Sequence, residues 1–151
     1  MISIATVTLM LTSAGVAYAE TYEGTRRANR YVGTTKSDRV ELYAGDDTAF
    51  GRAGSDKLFG GPNNDKLYGE GGTDTLYGHA GGDLLVGGPG EDHLFGASGN
   101  DTIFTGTSEE GDKETDEISC GAGPPRRHRL PERPGALRHN IDSSCENVIS
   151  Y

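Results

Sequence analysis

Residues 69–77 read GEGGTDTLY. The nine residues before them are GGPNNDKLY, and those after them run GHAGGDLLV, GGPGEDHLF and GASGNDTIF. Each word opens on glycine, has aspartate sixth and carries leucine or isoleucine eighth, and self-similarity at a fixed period marks a repeat architecture. Asp38, Asp47, Asp56, Asp65, Asp74, Asp83, Asp92 and Asp101 stand nine apart, each followed two residues later by Val40, Ala49, Leu58, Leu67, Leu76, Leu85, Leu94 and Ile103. One period further back lie Asn29 and Tyr31, with Gly24 opening. Nine units thus run in unbroken register from Gly24 to Phe104.

The glycines keep the same phase. Gly51, Gly60, Gly69, Gly78, Gly87 and Gly96 precede the aspartates by five residues, Gly54, Gly72, Gly81, Gly90 and Gly99 by two, and 18 of the 24 glycines fall inside the array. Turn formation alone would enrich Asp and Gly, but it would not phase them through eight aspartates. After Phe104 the period breaks at TGTSEE and one outlying unit follows, with Gly111, Asp116 and Ile118 in the expected places. The next unit begins CGAG and has Pro125 where an aspartate is due, so the array is expected to end there.

Units such as GGPGEDHLF match the nonapeptide GGxGxDxUx, in which U is a large apolar residue. The chain therefore resembles the RTX, or hemolysin-type, calcium-binding repeat family. That resemblance implies an all-β fold, a parallel β-roll (a right-handed β-solenoid), and the fold expected here is that roll followed by a C-terminal tail that the cysteine count, below, reads as disulfide-linked. It also implies calcium ions held between turns on the same edge of the roll. Two units would make one coil, each giving a six-residue turn and a strand of about three residues. Glycine suits such turns because positive φ is costly for any residue with a Cβ. The eighth residues would fill a thin core, Leu58, Leu76 and Leu94 on one wall and Leu67, Leu85 and Ile103 on the other.

Alternate aspartates then share an edge, one strand spacing apart, about 4.8 Å. Carboxylates about 5 Å apart repel by roughly 3 kcal/mol at an effective dielectric of 20. A hard divalent cation reverses that sign. Calcium accepts six to eight oxygens, carbonyls included, in flexible geometry, whereas magnesium demands a tight octahedron and transition metals favour imidazole or thiolate. The expected ligands are the eight aspartates and the carbonyls of the six opening glycines, with about four well-spelled sites between Asp56 and Asp101 and weaker ones at the ends. Asn29 has no charge, and the Asp47 unit opens on Leu42 instead of glycine, so these turns read as caps.

The chain carries 23 acidic and 14 basic residues, a formal charge of -9, which suits cations and disfavours a nucleic-acid partner. Residues 1–19, MISIATVTLMLTSAGVAYA, form an apolar run ending in small residues, as a secretory signal peptide does. No membrane association is expected once it is removed. The domain plan is a leader over 1–19, repeats over 20–104, an insertion with the outlying unit over 105–119, and a cap or tail over 120–151. Cys120 and Cys145, the only cysteines, read as a disulfide in an exported chain, contributing on the order of 3 kcal/mol.

The aromatic residues ninth in their units, Phe50, Phe59, Tyr68, Tyr77, Phe95 and Phe104, read as cross-strand ladders, with a binding stripe as the alternative. His79 and His93 read as a turn residue and a strand residue rather than ligands. Arg126–Arg138 reads as a solvated loop. No HExxH or GxSxG motif occurs. The expected function is that of a secreted, extracellular, non-catalytic calcium-binding protein whose folding is coupled to the ion. The competing readings are a calcium-dependent adhesin with a cell-surface glycan or protein partner, and an accessory or remnant of an RTX-type hydrolase or toxin.

Overall fold

The structure, a computed structural model, describes residues 6–8, 21–105, 117–121, 127–130, 140–141 and 148–150. Residues 1–19 other than Thr6–Thr8, Gly111 and Asp116 of the outlying unit, and Cys145 lie outside the described residues. Fifteen strands and no helix are found among the described residues. They are β1 (Thr6–Thr8), β2 (Thr21–Thr25), β3 (Arg30–Val32), β4 (Arg39–Tyr43), β5 (Thr48–Ala53), β6 (Lys57–Pro62), β7 (Lys66–Gly71), β8 (Thr75–Ala80), β9 (Leu84–Val86), β10 (His93–Ser98), β11 (Thr102–Phe104), β12 (Glu117–Ser119), β13 (Arg127–Leu130), β14 (Asn140–Ile141) and β15 (Val148–Ser150).

From β2 onward even-numbered strands form one sheet and odd-numbered strands the other. Each pairs in parallel with the strand two further along, while β1 lies antiparallel against β2. This is a parallel β-solenoid of about five turns. The register is the sequence period doubled: Leu76 pairs with Leu58 and Leu94, and Leu85 with Leu67 and Ile103. The two expected walls are therefore present. Val40, Ala49, Leu58, Leu67, Leu76, Leu85 and Leu94 are wholly inaccessible and form one core with Tyr22, Tyr31, Leu42, Ile103, Ile118 and Cys120.

Several strands are longer than the expected three residues, reaching six in β5 to β8 and β10. The ladder continues past the opening glycine, so that Gly61 pairs with His79 and Pro62 with Ala80. The solenoid also outlasts the repeat. β12 joins β10 across the break in period, and β13 joins β11 with His128 opposite Ile103, so Arg127–Leu130 is strand rather than loop. A parallel ladder is made of backbone groups, and it can extend without the aspartate.

Five of the six ninth-position aromatic residues form the expected ladders on the outer faces, and Phe104 lies opposite Val86 instead. Phe59, Tyr77 and Phe95 stack at 5.1 and 4.6 Å between ring centroids, Phe50 stacks on Tyr68 at 4.9 Å, and Arg39 and Arg30 lie over Phe59 and Phe50.

Candidate metal centre

Each turn from Leu42 to Asp101 is bent by two residues with positive φ. The second position does so in Tyr43, Arg52, Gly61, Glu70, His79, Gly88 and Ala97, and the fourth in Gly45, Gly54, Asn63, Gly72, Gly81, Gly90 and Gly99. The left-handed second position is thus held mostly by residues other than glycine, contrary to the expectation from composition. At the glycines of the fourth position a side chain would also collide with the preceding coil: a Cβ on Gly54 would fall 2.6 Å from the carbonyl carbon of Lys36.

The opening glycines have a different reason. None of Gly51, Gly60, Gly69, Gly78, Gly87 and Gly96 has positive φ. A Cβ at any of them would overlap Oδ2 of the aspartate five residues on. At Gly51, Gly69 and Gly87 it would also lie 2.7 Å from the carbonyl oxygens of Gly69, Gly87 and Thr105 in the next coil, and at Gly78 it would lie 3.0 Å from that of Gly96. The missing side chain leaves a cradle in which one carboxylate oxygen meets a backbone carbonyl of the following turn.

All eight aspartates are buried. Oδ1 of Asp56, Asp65, Asp74, Asp83, Asp92 and Asp101 accepts the backbone N–H of the aspartate 18 residues earlier, at 2.7–3.1 Å. Oδ2 of Asp47, Asp56, Asp65 and Asp74 is inaccessible and has no hydrogen-bond partner. Such an atom is costly to bury without a compensating donor or cation.

Burial raises the Asp47 carboxyl above the usual range and lifts Asp56 and Asp65 to about 7 and Asp74 to about 6, against the backbone N–H bonds that lower them. For Asp56, repulsion from Asp74 and Asp38 adds less than burial does. Mutual repulsion, the cost expected from sequence, is therefore the lesser one; loss of water is the greater.

Among the described residues no three His, Cys, Asp or Glu side chains converge on one point. The donor set is one or two carboxylates with backbone carbonyls, which suits calcium and excludes the side-chain-rich sites of zinc. The buried, undonated Oδ2 atoms and the glycine cradles fit a calcium ion. Asp56, Asp65, Asp74, Asp83, Asp92 and Asp101, with the carbonyls of Gly69, Gly87, Gly96 and Thr105, are the residues that would hold it.

The remaining predicted residues divide. Asp38 is buried, but its carboxylate accepts the backbone N–H of Thr34 at 2.7 Å and faces the Thr34 hydroxyl at 3.0 Å. Asp47 is buried, and Leu42, which opens its unit where glycine opens the others, is fully buried in the core. His79, expected in a turn, lies in β8 against the Phe59 and Tyr77 rings, because the ladder runs past the opening glycine, and His93 Nδ1 lies 2.8 Å from Glu117 Oε2. Cys120 is buried, and no free cysteine occurs among the described residues. Sequence reading missed Thr25 and Thr34, although both are second in units that also have a cation fourth, GTRRAN and GTTKSD.

No curated protein matches the chain. The family description "RTX calcium-binding nonapeptide repeat (4 copies)" matches residues 23–58, 50–85 and 77–107, together more than half of the sequence. The chain therefore belongs to the RTX calcium-binding nonapeptide repeat family, and its repeats bind calcium.

Proposed function

We propose that this is a secreted, non-catalytic β-roll protein that folds when it meets extracellular calcium. The observation that carries the reading is the row of buried aspartates, in which Oδ2 of Asp56, Asp65 and Asp74 faces a glycine cradle without a donor. In the absence of the ion that burial opposes folding, so the ion's binding free energy supplies folding free energy. Extracellular modules bind calcium with dissociation constants of about 0.1 to 1 mM. The chain would stay unfolded in a calcium-poor cytosol and close after export.

Residues 1–19 serve as the leader in this reading, and the buried Cys120 pairs with Cys145 to tie the last strands to the roll. Carboxylates held inside turns by backbone amides are placed to hold an ion rather than to exchange protons with a substrate, which supports a role without catalysis. Far-UV circular dichroism of the mature chain in chelator and in millimolar calcium tests the proposal. A coil spectrum converting to β-sheet is expected, and identical folded spectra would refute it.

One observation favours a surface-interaction role beside this. Tyr43 is the most exposed large apolar side chain among the described residues, at 46%. It lines two clefts of about 310 and 420 Å³, one lined also by Glu41, Phe59 and His79 and the other by Thr25 and Arg26. An aromatic face with polar neighbours suits a sugar ring. Calcium-dependent binding on a glycan array, lost in Tyr43→Ala, is the expected result; no glycan bound in calcium would remove this second role.

A further inference from the structure

The turns of the first two units are built differently from those of units three to nine. In units three to nine the second and fourth positions both have positive φ, whereas Thr25, Arg27, Thr34 and Lys36 do not. Thr25 Oγ1 accepts the N–H of Arg27 at 3.1 Å and donates to Asn29 Oδ1 at 3.1 Å. Nine residues on, Thr34 Oγ1 accepts the N–H of Lys36 at 3.0 Å and donates to the Asp38 carboxylate, at 3.0 Å from Oδ1 and 3.1 Å from Oδ2. The N–H of Thr34 adds a bond of 2.7 Å to Oδ2. That oxygen corresponds to the one left without a donor in Asp47, Asp56, Asp65 and Asp74.

We infer that the first coil of the roll takes no calcium: in these two turns a threonine hydroxyl and a changed backbone do what the ion does downstream. The inference rests on the calcium reading above and bounds it. The cation at the fourth position, Arg27 or Lys36, stands where the later units have glycine or, once, Asn63, and sets a positive charge in the turn, where a second cation is disfavoured. On the opposite edge Asn29 needs no counter-charge, and its N–H and Nδ2 both donate to Asp47 Oδ1, at 2.6 and 2.9 Å. The roll thus begins with one metal-independent turn on each edge, on which the calcium-dependent coils are laid. Solenoids need such an atypical terminal repeat, because the end coil has a neighbour on one side only.

Calcium ions per chain, counted by native mass spectrometry on the full chain, test this. Asp38→Asn is expected to keep every ion, since an amide oxygen can accept the Thr34 hydroxyl as that of Asn29 accepts Thr25. Asp74→Asn is expected to lose at least one. The double variant Thr34→Gly/Lys36→Gly, which restores the spelling of the later units, is expected to gain one. Loss of an ion in Asp38→Asn, or no gain in a double variant that folds in calcium, overturns the inference. If the double variant does not fold, the ion count of Asp38→Asn alone decides between the two outcomes. Retention of every ion in Asp74→Asn would instead sink the calcium assignment itself, and this inference with it.

Discussion

Replacing Leu76 by alanine probes the link between the core and the ions. Leu76 is wholly inaccessible, lies in register with Leu58 and Leu94, and belongs to a core one side chain deep on each wall. Leucine-to-alanine changes at such sites cost about 2–5 kcal/mol, and the middle of a solenoid, hemmed in by coils on both sides, has little freedom to collapse. With a cost of about 3 kcal/mol shared among about four ions that bind as the roll folds, each ion loses roughly 0.75 kcal/mol, a three- to fourfold rise in the calcium midpoint. The assay is far-UV circular dichroism against free calcium, with Lys57→Ala as control: Lys57 is exposed on the neighbouring strand, and such surface changes stay within about 0.5 kcal/mol. An unchanged midpoint in Leu76→Ala would refute the coupling of folding to binding, because a preformed site would not register a loss of core.

Two glycines two residues apart should behave oppositely. Gly69→Ala is expected to abolish calcium-induced folding of the central coils, because its Cβ overlaps Asp74 Oδ2 and crowds the Gly87 carbonyl; a Cβ on Gly71 meets nothing nearer than the Arg52 carbonyl oxygen at 3.8 Å. Gly71→Ala should shift the calcium midpoint by less than about twofold, within the roughly 0.5 kcal/mol of a neutral surface change. Acidity should act in opposite directions with and without the ion. Asp56, Asp65 and Asp74 titrate at about 7, about 7 and about 6 in the metal-free roll, against about 3.9 in an unfolded chain. The folded form therefore holds more protons between those values. Its stability is fully present below about 4 and is lost as pH rises through about 6–7. In chelator, acidification from about pH 8 to 5 should raise the β-sheet spectrum, while in calcium it should raise the midpoint as protons compete for the same oxygens. A chelated spectrum independent of pH would contradict the burial that shifts these groups.

The period of nine, the apolar eighth position and the alternation of walls are written in the residues from Gly24 to Phe104, because a solenoid contact is a contact between equivalent positions and the pattern repeats with it. Leu58, Leu76 and Leu94 could be placed on one wall from spacing alone, and the structure pairs them so. The stacking of Phe59, Tyr77 and Phe95 followed from the same count. What spacing did not carry was the reason for each glycine. Those at the fourth position answer to φ and to the coil beneath, whereas those that open the unit answer to an aspartate oxygen and a carbonyl of the next coil, atoms brought close only by the winding.

By itself the sequence determined the repeat, its phase, the core positions and the ion that its chemistry admits. Tertiary structure alone decided how far the ladder runs beyond the repeat, which carboxylates are satisfied within the protein, and that desolvation rather than repulsion dominates their cost. The physical reason is the same in all three. A period reports which residues are equivalent, while strand partners, hydrogen-bond partners and access to water belong to neighbours that only the winding of the chain brings together.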